Sequence, residues 1–467
     1  MSSSDPYRAL SREDLVQLIL EQQRQIAELQ AALEQLRRAG KRQAAPFAKG
    51  TRQAKPKRPG RKPGQGLFRY RAVPEPAEVT EPPVEVPVTQ ACCPACGGTL
   101  VEEGIEYAYR TELPALVQPQ VTQYCIEVCR CMECGQQVRG AHPDVAPDQD
   151  GASAQRLGER ALAAAHALHY GVGVPVRKVP AILEMLAGLP VTQSALTHDA
   201  QRRVAGSVGQ VYRQLRTRVP EAPAGHTDDT GWRIGGQPAH LMVFETATAT
   251  VYQIRERHRN EEVREVVPTE YEGVLVTDRG RSYDAQALAG VRQQKCLAHI
   301  QRSISDVLEQ QHGKARAFGQ RLKALLRQAL DLWQAHHAGR APAFATEAQV
   351  LQAAITHHLR DRPLKNAANQ RLLNELGGHQ DRGNLLRLLD DPAIEPTNNR
   401  AERALRPAVI ARKVSQCSRT PRGAETFAAF TSVLRTLAKT TKGTVVDGLV
   451  HVFRFAQLPD ALPESCE

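Results

Sequence analysis

Apolar positions change their spacing several times along this chain, and each change predicts a different element. Leu15, Ile19, Gln22, Ile26, Leu29, Leu33 and Leu36 follow alternating steps of four and three. That is an a/d seam over three heptads, interrupted once by Gln22. Ser11 with Asp14 reads as a capping box at its start, and Gly40 as its stop. The seam predicts a coiled-coil helix over 1–40 and self-association through residues 15–36, the alternative being an amphipathic helix docked on its own chain. Strand signals come much later. Residues 226–234, 240–244 and 250–254 read as a meander with a Gly-Gly turn, and 273–278 as a short buried β-branched strand ending in a carboxylate.

Helical spacing fills the rest. Residues 153–218 read as helical, with a turn at Gly188 followed by a helix capped at Thr192. This fits a helix-turn-helix offering Gln193, Ser194, His198 and Gln201 to bases and Arg202 and Arg203 to phosphates. Any two helices packed around such a turn would give the same pattern. Residues 298–387 are rich in Ala, Leu, Gln, Arg and His without strand signals, which predicts a helical insertion. A final helix is expected over 424–437, and residues 441–467 read as a C-terminal tail.

Charge changes the picture at the N-terminal end. The chain has 467 residues and a net charge of +11, enough length for several domains. Residues 1–66 carry 14 Lys or Arg against 6 Asp or Glu, so most of the excess sits there. Residues 41–62 hold nine basic residues and no acid, broken by prolines. A flexible linker is one reading; so dense a positive run, including Lys57, Arg58, Arg61 and Lys62, would also gather on DNA phosphates. Residues 74–87 turn Pro- and Glu-rich, an extended spacer that completes a linker over 41–90. No apolar run approaches the ~18–20 residues of a membrane span, and the start lacks the apolar core of a signal peptide. A cytoplasmic protein is expected.

Ten cysteines in such a chain point to metal ligands or free thiols more than to disulfides. Cys93-Pro-Ala-Cys96-Gly and Cys131-Met-Glu-Cys134-Gly are two knuckles whose thiolates can reach Zn²⁺, each with a Gly that permits a tight turn. Strand-like runs at 105–111 and 121–128 suit a zinc-ribbon-like module over 91–145. Cys92 or Cys129 could compete as ligands. A redox role for either knuckle is the weaker reading, because no thioredoxin-like βαβ pattern surrounds them.

The candidate chemistry lies in the second half. From Arg400 to Arg422 there are seven Lys or Arg residues, and Glu402 is the only acid. One carboxylate held among cations suits a metal ion beside a polyanion, with Arg406, Arg412, Lys413, Arg419 and Arg422 on the phosphates. An exposed helix pairing Glu402 with Arg406 is the alternative. Asp278 ends one strand, and Asp228 or Asp229 lies on another. Three carboxylates on neighbouring elements can hold two divalent cations ~3.5–4 Å apart. Pro407 predicts a kink or an end to the Glu402 helix. Cys296 and His299, three apart, fit packing or positioning better than a metal site of two ligands.

Four strings carry a resemblance: Asp228-Asp-Thr-Gly-Trp-Arg, Gly273-Val-Leu-Val-Thr-Asp-Arg-Gly-Arg-Ser-Tyr-Asp-Ala, Gln294-Lys-Cys-Leu-Ala-His-Ile-Gln-Arg, and Asn398-Asn-Arg-Ala-Glu-Arg-Ala-Leu-Arg-Pro-Ala-Val-Ile-Ala-Arg-Lys. Together they resemble the bacterial DDE transposases of the insertion sequence sixty-six family, over nearly the whole chain. This chain has Asp229 where the family usually has Glu, and Leu297 where it has Trp. The resemblance implies an enzyme that cuts and joins DNA, with Asp228, Asp278 and Glu402 as a triad for Mg²⁺ (or Mn²⁺) and the cysteine module as a DNA-binding zinc finger. Its partners would be the element's inverted-repeat ends and target DNA, with possible helper proteins of the same element.

The expected fold is multidomain α+β. A ribonuclease-H-like α/β catalytic core spans 221–440, with its helical insertion at 298–387. Before it come the coiled-coil helix, the linker, the zinc-binding module and a helical, helix-turn-helix-like region over 146–220. A DNA-binding regulator without catalysis is the alternative, and the presence of all three acids argues against it.

Overall fold

The computed structural model describes residues 11–40, 73–80, 82–101, 104–111, 118–145, 156–360 and 362–459, with side chains of the first helix described to residue 30. Two units result: Ala48–Pro119, and Met1–Phe47 together with Gln120–Glu467. In the first, the described stretches contain neither long helix nor strand, and their main ordered feature is a turn in which Cys93 N–H reaches Gly98 O at 3.0 Å.

In the second, helix α1 (Arg12–Gly40) opens where Ser11 Oγ accepts the Asp14 N–H at 3.1 Å and Asp14 Oδ2 accepts the Ser11 N–H at 3.2 Å. Ile19, Ile26 and Leu29 of its apolar seam are exposed. Strands β1 (Val128–Arg130) and β2 (Gln137–Arg139) pair antiparallel around the Cys131–Cys134 turn. The longer strands expected at 105–111 and 121–128 are absent save for Val128. Their composition favours extended backbone, but a strand persists only with a partner to complete its ladder.

Helices α2 (Glu159–His166), α3 (Val179–Ala187), α4 (Gln193–Ala205) and α5 (Ser207–Arg218) follow. Gly188 stops α3 in the left-handed region at φ +57°, and Thr192 Oγ1 caps α4 by accepting the Ala195 N–H at 3.2 Å. These helices do not stand apart from the sheet. Leu162, Val179, Leu196, Val208, Val211 and Leu215 share one core with the sheet residues Met242, Phe244 and Leu275. Arg203, expected to face phosphate, lies against the ring of Phe453 at 3.8 Å and pairs with Asp199 at 3.5 Å. Its stem completes that core.

Strands β3 (Ala224–Ile234), β4 (Gln237–Glu245) and β5 (Thr250–Arg255) form the meander. After the short helix α6 (Asn260–Arg264) come β6 (Val274–Thr277) and β7 (Arg292–Lys295). The sheet order is β5-β4-β3-β6-β7; β4 is antiparallel to its two neighbours, whereas β6 runs parallel to β3 and β7 parallel to β6. The mixed α+β class expected from the sequence is therefore met. Strand β7 reads Arg-Gln-Gln-Lys and carries no apolar signal, yet Gln293, Gln294 and Lys295 are buried. Their donor groups are bonded internally. Gln293 donates to Tyr283 O at 2.7 Å, Gln294 to Leu385 O at 2.8 Å, and Lys295 Nζ pairs with Asp284 at 2.8 Å.

Five helices lie between β7 and the Glu402 segment: α7 (Leu297–Glu309), α8 (Arg316–His337), α9 (Phe344–His358), α10 (Ala367–Asp381) and the short α11 (Arg387–Asp390). They bury their own core of leucines with Ile300, Ile304, Phe318, Phe344 and Ile355. Then come α12 (Asn399–Ser415), α13 (Pro421–Thr440) and α14 (Val445–Phe455). Helix α12 does not end at Pro407 but continues two turns beyond it. Ala408 and Ala411 bury against the same surface as Ala401 and Leu405, and that packing offsets the one backbone hydrogen bond a proline removes. Helix α14 replaces the tail expected from 441 onward, since Leu449, Val452 and Phe453 are buried in the main core. Its apolar residues repeat at helical spacing over too short a run to be distinctive in sequence.

Candidate active site

Two aspartates follow the paired stretch of β3 and β6. The parallel register sets Ala224 against Val274, Gly225 against Leu275 and His226 against Val276. Continued two residues past its last pair, that register would set Asp228 beside Asp278, and the charge of Asp278 does act on Asp228. Side chains alternate between the faces of a strand, so the even-numbered residues of β3 and β6 share one face. Asp228 pairs across β4 with Val243, which packs beneath α12 with Trp232, Leu241 and Leu405. Asp229 pairs with Met242, which belongs to the core on the opposite face. The two consecutive aspartates therefore leave the strand in opposite directions, and Asp228 points to the side of Glu402.

Each carboxylate is held by its backbone surroundings. Asp228 Oδ1 accepts the Asp229 N–H at 2.9 Å, and Asp278 Oδ1 accepts the Gly280 N–H at 2.8 Å. A Cβ on residue 280 would come within 2.9 Å of that same oxygen, so glycine is required for the loop to approach Asp278 closely. Glu402 is positioned from the start of α12. Asn398, fully buried, donates through Nδ2 to Thr227 O at 2.8 Å, next door to Asp228. Its own N–H reaches Cys296 Sγ at 3.2 Å, and the Cys296 N–H in turn bonds Thr277 O at 2.8 Å, next door to Asp278. One buried cysteine thus ties the end of β6 to the start of α12, and Glu402 follows one turn on, its N–H bonded to Asn398 O at 3.1 Å.

His299, three residues into the same motif, places Nε2 3.6 Å from Glu402 Oε1. Among the described residues no ion pair joins Glu402 to Arg406. Cys296 thus bonds the residue that opens the Glu402 helix, and His299 lies beside Glu402 itself. The signal for this was available: a cysteine at the first turn of an amphipathic helix directly after a strand has few places to go except the core.

The electrostatics reflect the crowding. Burial, together with the nearby charges of Asp278, Asp229 and Glu402, pushes Asp228 up to about 7. Burial also opposes ionisation of Asp229, yet hydrogen bonds from His240 and His258 hold its carboxyl well below the usual range. The oxygens of Asp228, Asp278 and Glu402 do not all come within 4.8 Å of one another.

The cationic residues divide. Arg406, Lys413, Arg419 and Arg422 are exposed. Arg412 is half-buried and donates to Thr230 Oγ1 at 3.0 Å and to Gly231 O, so it braces β3. Lys57, Arg58, Arg61 and Lys62 lie outside the described residues. On α4, Gln193, Ser194 and His198 are exposed.

The two cysteine knuckles, one in each unit, have the same turn. Gly97 N–H bonds Cys93 O at 2.8 Å and Gly135 N–H bonds Cys131 O at 3.0 Å, with both glycines in the left-handed region at φ +72° and +74°. Backbone N–H groups within each turn lower the pKa of the leading thiol, those of Ala95 and Cys96 for Cys93 and those of Cys134 and Glu133 for Cys131. Turn donors aimed at sulfur favour thiolates, the form that binds metal. Cys92, Cys125 and Cys129 are exposed.

No curated protein matches the chain. A family model described as "Transposase IS66 family" matches residues 155–426, more than half its length, and spans all three carboxylates.

Proposed function

The chain belongs to the IS66 transposase family, and from that premise we propose that it binds the ends of a bacterial insertion sequence, cuts the DNA there and joins it to a target. The observation that carries this reading is the convergence of Asp228, Asp278 and Glu402 from two parallel strands and a helix, close enough for the neighbouring charges to help push Asp228 up to about 7. An all-oxygen donor set fits Mg²⁺ or Mn²⁺. Carboxylates so placed repel one another unless cations lie between them, which is the second reason the residues fit the ions. The sheet order, with β4 alone reversed, supports a ribonuclease-H-like core, and Asp278 sits just past the C-terminal end of a parallel strand, where open α/β sheets hold ligands.

Bound there, a pair of Mg²⁺ ions would activate an attacking oxygen and stabilise the leaving one at a phosphodiester. The chain's own residues do the rest. Asp228, Asp278 and Glu402 hold the ions, while Asn398 and Cys296 fix the helix that carries Glu402. Arg406, Lys413, Arg419 and Arg422 attract the DNA backbone beside them. Arg412 braces the strand from behind. No side-chain nucleophile is needed: water makes the first cut, releasing a 3′-hydroxyl, and that hydroxyl attacks target DNA.

The remaining assignments belong to the same reading. Cys93 with Cys96, and Cys131 with Cys134, supply thiolates for Zn²⁺, and the knuckles and the exposed face of α4 contribute to DNA recognition. Lys57, Arg58, Arg61 and Lys62 contact phosphates without regard to sequence. The α1 seam joins copies of the chain, as bringing two DNA ends together requires. Helper proteins from the same element complete the machinery, in the cytoplasm of the host. No helix among the described residues is long and apolar enough to cross a membrane.

The test is direct. Purified protein, incubated with Mg²⁺ and labelled DNA bearing the inverted repeats that flank its coding sequence, is expected to yield cleaved and joined products that chelation abolishes. DNA binding with no metal-dependent product, even with the element's other proteins present, would instead assign a regulator.

A further inference from the structure

A second group of metal-ligating side chains lies on the opposite face of β3 from the triad. Asp229 Oδ2 is 3.1 Å from His240 Nδ1, and Asp229 Oδ1 is 3.2 Å from His258 Nδ1. The ligand atoms of the three residues all fall within 4.8 Å of one another, and no other trio of His, Cys, Asp and Glu among the described residues does so. We propose that Asp229, His240 and His258 form a binding site for a transition-metal dication of the Zn²⁺ class, separate from the carboxylate triad.

The register of the sheet explains how the three meet. Asp229 pairs with Met242, and His240 is two residues before Met242 on the same face of β4, the diagonal position within reach of a long side chain. His258 comes from the loop after β5, and its ring rests edge-on against Tyr283 at 5.5 Å between centroids. Ser282 Oγ donates to His258 O at 2.7 Å and fixes that loop. Three successive segments of the meander therefore turn a ring nitrogen or a carboxylate toward one point. Side chains of Asp229 and His240 are 26% and 39% exposed, whereas His258 is 10% exposed, so the point is walled on one side and open to an entering ion on the other.

The distances and the donors suit a tetrahedral ion. One oxygen of Asp229 lies 3.1 Å from His240 and the other 3.2 Å from His258, and one ligand atom from each residue falls within 4.8 Å of the others, so a small inward movement brings the three to the ~3.3 Å at which bonds of ~2.0–2.1 Å place tetrahedral ligands. Two imidazoles with one carboxylate select Zn²⁺, Co²⁺ or Ni²⁺ over Mg²⁺, which prefers oxygen and keeps its water. Three protein ligands leave a fourth position for water. The ion would clamp β3, β4 and the loop after β5 together. It would also fix the backbone N–H of Asp229, which donates to Asp228 Oδ1. The site stands whether or not the cleavage reading holds, because it shares no residue with the triad.

The test uses the full chain, stripped of metal and titrated with Co²⁺ and Zn²⁺, beside His240→Ala and Asp229→Asn. The cysteine knuckles are intact in all three proteins, so differences between them report this site alone. Wild type is expected to bind one more equivalent than either variant, with a Co²⁺ spectrum that includes a component lacking thiolate charge transfer. Affinity at that equivalent should fall by at least the ~10–100-fold that even an outer-shell partner is worth. Zn²⁺ should also raise the melting temperature of wild type more than that of the variants. Equal stoichiometry and equal thermal shifts in wild type and in a folded variant would overturn the proposal. Circular dichroism checks folding, and the near-isosteric Asp229→Asn remains informative if His240→Ala fails to fold.

Discussion

Glu402→Gln leaves DNA binding intact and removes strand cleavage, by ~10³-fold or more. The size follows from what a metal-holding carboxylate contributes: several kcal/mol of transition-state stabilisation, at 1.36 kcal/mol per factor of ten. Retained folding follows from the geometry. Helix α12 is anchored by Asn398, Ala401, Leu405 and Ala408, none of which the substitution touches, and glutamine keeps the shape of the side chain. Asp278→Asn should behave alike, because Gly280 N–H still has an oxygen to bond. Gel-shift and cleavage assays on the same preparations separate the two effects. A variant that loses binding and cleavage together would place Glu402 in the fold or the DNA interface instead of at the metals.

Removing the charge of Asp228 stabilises the metal-free protein at high pH. Its carboxyl is pushed up to about 7, first by burial and then by the charges of Asp278, Asp229 and Glu402, against 3.8 for an ordinary aspartate. Between about pH 4 and 7 the folded state therefore holds a proton that the unfolded state has lost. Unfolding free energy falls as pH rises through that window, by ~4 kcal/mol at most. Below pH 4 the two states are equally protonated, and the effect vanishes. In chelator, Asp228→Asn should lose this slope and melt higher than wild type at pH 8, at the expense of activity. Mg²⁺ should stabilise wild type at pH 8 and help the variant far less. Parallel melting curves for the two proteins from pH 5 to 8 would show that Asp228 feels no such crowding.

What the sequence revealed and what it hid divide along physical lines. Strands β3 to β6 were legible because their apolar and β-branched runs are buried for the ordinary reason. Strand β7 was not, because pattern reading assumes that buried means apolar. Gln293, Gln294 and Lys295 are buried with their polar ends bonded to Tyr283 O, Leu385 O and Asp284, and partners so distant in the chain leave no local trace. Pro407 misled in the opposite sense, since local propensity yields to the alanine face of α12 on Trp232. Asp278 and Glu402 stood out by position and by charge contrast. Asp228 could not be told from Asp229 by the residues alone, and only the register of β3 on β4 shows that the two leave the strand on opposite faces. The same register, not any motif, brings His240 to Asp229. The buried bridge from Thr277 through Cys296 to Asn398 was legible only as a cysteine three residues before a histidine.

The claim most in need of a direct test is that Asp278 touches a metal ion during DNA cleavage. Asp278→Cys puts a soft thiolate where a hard carboxylate stood, and thiolate is a poor ligand for Mg²⁺ but a better one for Mn²⁺. Cleavage of element-end DNA by this variant should be lost in Mg²⁺ and partly recovered in Mn²⁺, while Asp278→Ala stays inactive in both. If Asp278→Cys and Asp278→Ala respond to the two metals alike, Asp278 is not a metal ligand, and the account of this site is wrong.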